Sequence, residues 1–353
     1  MMKIKHSFFA ALIYFLFFSL TYAYPVDKLV MFGDSLSDNG NIYNLSVKAH
    51  KVIPMIPVIP KESAYFKGRF SNGPVWIEDL ADAIDVPLED YAYGGSWAEP
   101  FKDSGLIIPF GLGDQVNMYL VAAATDYDIG KHLFFIWTGG NDYITPRDDV
   151  DYATSSTVSS IKKNIEWLVW YGARHVVVMS IPDVSQTPKV IMNGAEAVEN
   201  ARQLVESHNA KLKKMVEELK AEYPVSQYPG IDFIYADMTT PMQDAIIHPD
   251  QYGLKNTSNP CYDGSIYFGN PIDEKEIAAA KQANIDIMKS PALKLAYING
   301  RTASILKNQF CAEPDDYLFW DALHPTKKVH GFMATMVWSI LSDKIEPITQ
   351  TKL

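Results

Sequence analysis

The feature that most restricts what this chain can fold into is a rhythm. Short apolar, β-branched runs (Lys28 to Phe32, Leu133 to Trp137, His175 to Ser180, Ile231 to Tyr235) alternate with longer stretches whose apolar residues recur at helical spacing. Those stretches are Pro74 to Ile84, Ser155 to Tyr171, Ala195 to Glu222 and a last one from about Thr326 to Ser342. Each short run reads as a buried strand. Strands alternating with helices imply a parallel sheet under covering helices. Two segments break the rhythm. From Val52 to Tyr65, Pro54, Pro57 and Pro60 alternate with Ile, Met and Val, which forbids a helix interior or central strand and predicts an apolar extended loop. Between Cys261 and Cys311, the middle portion Asp273 to Met288 is helical in pattern.

Ahead of the first strand, two lysines in the opening residues and an apolar run from Ser7 to Leu20 lead to Thr21-Tyr22-Ala23. This is the pattern of an export signal with cleavage after Ala23, and the run is short for a membrane span. The expectation is a signal peptide over residues 1–23 and a secreted or periplasmic domain over residues 24–353. Roughly 330 residues are enough for one large α/β domain. A net charge of -11 argues against a nucleic-acid partner, which needs clustered Lys and Arg. Cys261 and Cys311 are the two cysteines. Paired in an oxidising compartment, they close a loop of roughly fifty residues, worth about 4 kcal/mol in the chain-entropy model. The alternative is two buried free thiols.

Gly33-Asp34-Ser35 follows directly on the first strand, at the carboxyl edge of the sheet where open α/β folds bind ligands. Gly-Asp-Ser alone is a common turn or helix cap. A serine hydroxyl becomes a useful nucleophile only beside a base that a third group holds in one tautomer. Trp320-Asp321-Ala322-Leu323-His324-Pro325 can supply both, since a carboxylate three residues before a histidine reaches its Nδ1–H within one turn and leaves Nε2 free. The plainer reading is a capped turn with a packed histidine. Acyl transfer further requires donors for a developing oxyanion. Gly139-Gly140-Asn141-Asp142 follows the strand ending at Trp137 and offers an amide, while Tyr93-Gly94-Gly95-Ser96 offers an unshielded N–H. Each is also an ordinary turn.

Taken together, these blocks resemble the SGNH, or GDSL, hydrolase family from about Lys28 to the last helix. Its blocks are matched by Phe32 to Gly40, Tyr91 to Gly95, Gly139 to Asp142 and Asp321 to Pro325. The resemblance implies Ser35 as nucleophile, His324 as general base and then acid, Asp321 as its orienter, and the Ser35 N–H, the Gly95 N–H and the Asn141 side chain as oxyanion donors. Gly68-Arg69-Phe70-Ser71-Asn72-Gly73 is similar to a segment of the lipase-like branch, which includes phospholipases, lysophospholipases and glycerophospholipid:cholesterol acyltransferases. Ser96 stands where that branch commonly has Ala.

The expected fold is a three-layer αβα sandwich around about five parallel strands in flavodoxin-like order, one hydrolase domain carrying an inserted Cys261–Cys311 loop. The expected activity is ester hydrolysis of acyl lipids, most of all lysophospholipid or phospholipid. A sterol as acyl acceptor in place of water is the alternative, and an inactive exported binding protein on the same scaffold the more distant one. No Lys-Thr-Gly accompanies Ser37-Asp38-Asn39, the Gly-x-Ser-x-Gly elbow is missing around Ser35, and no His-x-x-x-His pair exists, so penicillin-recognising, α/β-hydrolase and metal-dependent chemistries are not expected. No cofactor or metal is expected. The Val52 to Tyr65 loop, with Ile53, Ile56 and Ile59, is expected to border an acyl-chain groove or touch a lipid surface. The Cys261 to Cys311 segment is read either as a lid or as a surface elaboration. Activity is expected to rise with pH as His324 loses its proton.

Overall fold

The computed structural model describes residues 23–52, 57–99, 110–144, 147–264 and 309–348. The export-signal segment through residue 22, Ile53 and Ile56 of the apolar loop, and Asp273 to Met288 of the inserted loop lie outside the described residues.

The strands are β1 (Tyr24–Val26), β2 (Lys28–Gly33), β3 (Leu88–Asp90), β4 (His132–Trp137), β5 (His175–Met179), β6 (Asp232–Ala236), β7 (Asn256–Pro260), β8 (Tyr317–Phe319) and β9 (Ile345–Pro347). Five of them form the central sheet in the order β3-β2-β4-β5-β6, with every pair parallel. Counted within that sheet, the order is 2-1-3-4-5, the flavodoxin-like arrangement. Alternate side chains along each strand go to opposite faces. Leu29 and Met31 of β2 join Phe135 and Val177 under α2 (Trp76–Ile84), α7 (Thr239–Ile247) and α8 (Lys327–Leu341). Val30 and Phe32 join Phe134 and Val176 under α3 (Leu112–Ala122), α4 (Val150–Trp170) and α6 (Ala195–Glu222). Two covered faces make the three layers. The remaining helices are α1 (Asn41–Val52) and the short α5 (Pro188–Ile191).

The four expected strands stand within a residue of their expected limits. α4 starts at Val150 rather than Ser155 because Asp149 caps it, its side chain accepting the Tyr152 N–H. Short parallel pairs, β1 with β9 and β7 with β8, sit outside the main sheet. Among the described residues, no helix is long and apolar enough to cross a membrane. Val52 ends α1, and the described part of the loop beyond it folds back on that helix through the Ile59 N–H and the Ser46 hydroxyl, 3.0 Å apart.

Candidate active site

The Ser35 side is built from the sheet itself. β2 ends at Gly33, where a Cβ would come within 2.6 Å of the Trp137 carbonyl oxygen on β4, so only glycine lets the two strands lie this close. The buried Gln115 of α3 clamps the same peptide, accepting the Gly33 N–H and donating to the Gly33 carbonyl, each at 2.8 Å. Beyond it the chain turns sharply. Asp34 accepts the Leu36 N–H on its side chain and the Ser37 and Asp38 N–H groups on its carbonyl. That turn leaves Ser35 at the carboxyl edge, between the ends of β2 and β4, where the strand order reverses.

The opposite side is a loop between β8 and α8. The Trp320 N–H donates to the His324 carbonyl and closes the turn at 2.7 Å. Asp321 Oδ1 accepts the Leu323 and His324 backbone N–H groups at 2.7 and 2.8 Å. His324 Nδ1 lies 2.9 and 2.8 Å from the two oxygens of Asp321, and His324 Nε2 lies 2.8 Å from Ser35 Oγ. Burial works to raise the Asp321 carboxyl, but His324, the Tyr65 hydroxyl and the Leu323 N–H outweigh it and hold it below the ordinary carboxylate value. An ionised Asp321 can only accept, so Nδ1 carries the ring hydrogen and Nε2 is left to accept from the serine. Four other buried histidines, His132, His175, His208 and His330, are pushed down by burial, the last two to about 3.

Sequence reasoning missed what supports this loop. The Tyr65 hydroxyl donates to Asp321 Oδ2 at 2.6 Å. The Phe70 ring lies 5.0 Å from the His324 ring, Ser71 Oγ donates to the Pro325 carbonyl at 2.9 Å, and Asn72 Oδ1 accepts the Lys327 N–H at the start of α8 at 2.7 Å. At Gly73 a Cβ would meet the Lys327 Cβ at 2.4 Å. The Gly68 to Gly73 segment is thus the bed on which the Asp321–His324 loop lies. A disulfide joins Cys261 to Cys311, with Cα atoms 4.8 Å apart, and belongs to the same support. The Cys261 and Tyr262 N–H groups donate to the Phe319 and Trp320 carbonyls, just before Asp321.

The expected oxyanion donors occupy the same edge. Gly94 donates its N–H to Asp38 Oδ2 at 2.7 Å, whereas the Ser35 and Gly95 N–H groups donate to no group among the described residues. Gly95 has φ 80°, a left-handed conformation that suits glycine. Asn141 Nδ2 gives one hydrogen to the Ser96 carbonyl at 2.9 Å and has no second acceptor among the described residues. Ser96 is tied in through its hydroxyl, which accepts from Gln115 and donates to the Phe110 carbonyl.

Ser35, Asn141 and His324 line one cleft of about 790 Å3, open mouth included, whose walls are largely apolar: Leu36, Ile144, Val184, Met242, Ile246 and Met333. Burial pushes Asp34, on its wall, up to about 6 against the pull of the Leu36 N–H and His324. Such an arrangement can deliver a deprotonated serine oxygen to an electrophilic carbon while an apolar group occupies the cleft. Among the described residues no cluster of His, Cys, Asp and Glu could hold a metal ion.

The family profile described as GDSL-like Lipase/Acylhydrolase matches residues 29–337, and the chain belongs to that family. Its relatives include the phosphatidylcholine-sterol acyltransferase of Aeromonas hydrophila, 27% identical over 90% of this chain and 91% of that protein. The thermolabile hemolysin of Vibrio parahaemolyticus is 27% identical over 88% of this chain and 62% of its own length. The secreted effector protein SseJ of Salmonella typhimurium is 29% identical over 90% of this chain and 64% of its own length. The chain therefore spans somewhat under two thirds of the last two.

Proposed function

We propose that the protein is an exported serine esterase acting on acyl esters of lipids, with lysophospholipid or phospholipid as its substrate class. The observation that carries this reading is the buried Ser35–His324–Asp321 chain opening onto an apolar cleft. In this reading the acyl chain lies against Met242, Ile246 and Met333, with the ester carbonyl at Ser35. Ser35 Oγ attacks the carbonyl carbon as His324 Nε2 takes its proton. The tetrahedral oxyanion is held by the Ser35 and Gly95 N–H groups and the remaining Asn141 N–H. Collapse expels the alcohol, which takes the proton from His324, and leaves an acyl-enzyme. Water then repeats the sequence, losing its proton to His324 and releasing the fatty acid as Ser35 recovers its own.

A sterol hydroxyl in place of water is the second reading, favoured by the likeness to the Aeromonas hydrophila acyltransferase over nearly the whole of both chains. Export is supported by the disulfide, which persists in oxidising compartments. The test is a panel of phospholipid and lysophospholipid vesicles, with and without cholesterol, given to the wild type and to Ser35→Ala. The expected result is fatty-acid release reduced by about 10⁴-fold or more in the variant. Undiminished release by Ser35→Ala overturns the mechanism, and sterol ester in place of fatty acid selects the acyltransferase.

A further inference from the structure

We propose that Tyr65 is a positioning residue for the reaction above: its hydroxyl holds the Asp321 carboxylate in the one orientation that keeps His324 aimed at Ser35. The inference rests on that reading of the triad. The two oxygens of Asp321 are not equally secured. Oδ1 is fixed by two backbone N–H groups of its own turn, from Leu323 and His324. Besides the imidazole, Oδ2 has the Tyr65 hydroxyl, which comes from 256 residues away. The imidazole is the group to be aimed, so a carboxylate fixed otherwise only at Oδ1 can turn about its Cβ–Cγ bond and carry the ring with it. A second donor on the other oxygen stops that rotation.

Tyr65 is itself held for this task. It is 3% exposed, and its ring meets Phe70 and Tyr262 edge-on, with centroids 6.3 and 5.8 Å away. Phe70 in turn lies against the His324 ring, and Tyr262 follows the half-cystine Cys261. The hydroxyl is thus positioned by a buried cluster of Ala64, Tyr65, Cys261, Tyr262 and Trp320 that stands apart from the main core. Among the described residues the titratable groups around Asp321 are His324, Tyr65 and Tyr262, with Asp34 and His330 acting on His324 from its other sides.

Tyr65→Phe removes one oxygen and keeps the ring in its cluster. With a short soluble ester as probe, kcat is expected to fall about tenfold with KM within about twofold of wild type, because misaimed groups slow the chemical step and leave binding alone. The acid side of the kcat profile is expected to move to higher pH, since Asp321 loses a donor that favours its anion. The far-downfield proton resonance of the His324 Nδ1–H should shift, and the rate at which a fluorophosphonate labels Ser35 should fall in step with kcat. Wild-type kcat, labelling rate and acid limb in Tyr65→Phe overturn the positioning role. Ser35→Ala, measured alongside, separates the two claims: an inert Ser35→Ala with a wild-type-like Tyr65→Phe sinks this inference alone, whereas an active Ser35→Ala sinks the triad reading beneath it.

Discussion

The two halves of the site are held in different ways. Ser35 is an extension of the sheet: Gly33 is pressed against β4, clamped by Gln115 and continuous with a strand buried on both faces. Asp321 and His324 lie outside the sheet, on a loop bedded on residues 65–73 and braced by a disulfide cluster. The sheet half cannot move without disturbing the core. The loop half is held instead by hydrogen bonds to its bed and to the disulfide cluster. Damage to the first should therefore show in stability, and damage to the second mainly in turnover.

Gln115→Ala gives the largest expected effect on the sheet side. It strips partners from the Gly33 N–H and carbonyl and from Ser96, and should lower unfolding free energy by about 3 kcal/mol in a denaturant titration. A stable Gln115→Ala with reduced turnover would break the comparison. Asp142→Asn sharpens it through pH. Burial pushes Asp142 up to about 7 against the Ala98 and Glu99 N–H groups, so its native pKa exceeds its unfolded one. Its contribution to stability is then fully present below the unfolded value and lost as pH rises through about 7. Asparagine does not titrate, so the variant should gain on the wild type between pH 5 and pH 8, by on the order of 2 kcal/mol. Equal pH dependence of the two melting curves would remove the buried charge from the account. Ser71→Ala, on the loop side, should cost about 1 kcal/mol of stability or less. It should still slow hydrolysis several-fold, because the Pro325 carbonyl beside His324 loses its tether. Stability and turnover falling in proportion would contradict the division.

Legibility in the sequence follows the same division. Four central strands are readable because each is a run buried on both faces, and Ser35 is readable because the turn after one of them is joined, in family order, by the distant blocks at Gly94-Gly95, Asn141 and Asp321 to His324. β3 is not, being three residues at the sheet edge with two acids, Glu89 and Asp90. α1 was hidden because it buries little beyond Ile42 and Ser46, and its start is set by Asp38 accepting the Asn41 and Ile42 N–H groups. The Asp321–His324 pair stood out because both members lie in one turn. Its supports did not. In the sequence Tyr65 reads only as the end of an apolar loop, and Gln115 is a lone glutamine whose value comes from a peptide 82 residues away. The Gly68 to Gly73 motif was visible as a pattern, but its physical purpose emerges only when α8 is seen lying on it.

The pairing of β1 with β9 bears on how the chain is made. Tyr24 stands beside Ile345 and Val26 beside Pro347, so β1 finds its partner only in the segment that follows α8. Until that segment is in place Tyr24 to Val26 is an open edge, with the fully buried Val26 uncovered. Contacts this distant in sequence form late, and open edges invite the wrong neighbour. Pairing of β1 therefore depends on the segment after α8, and a chain cut before Ile345 leaves that edge without its partner strand.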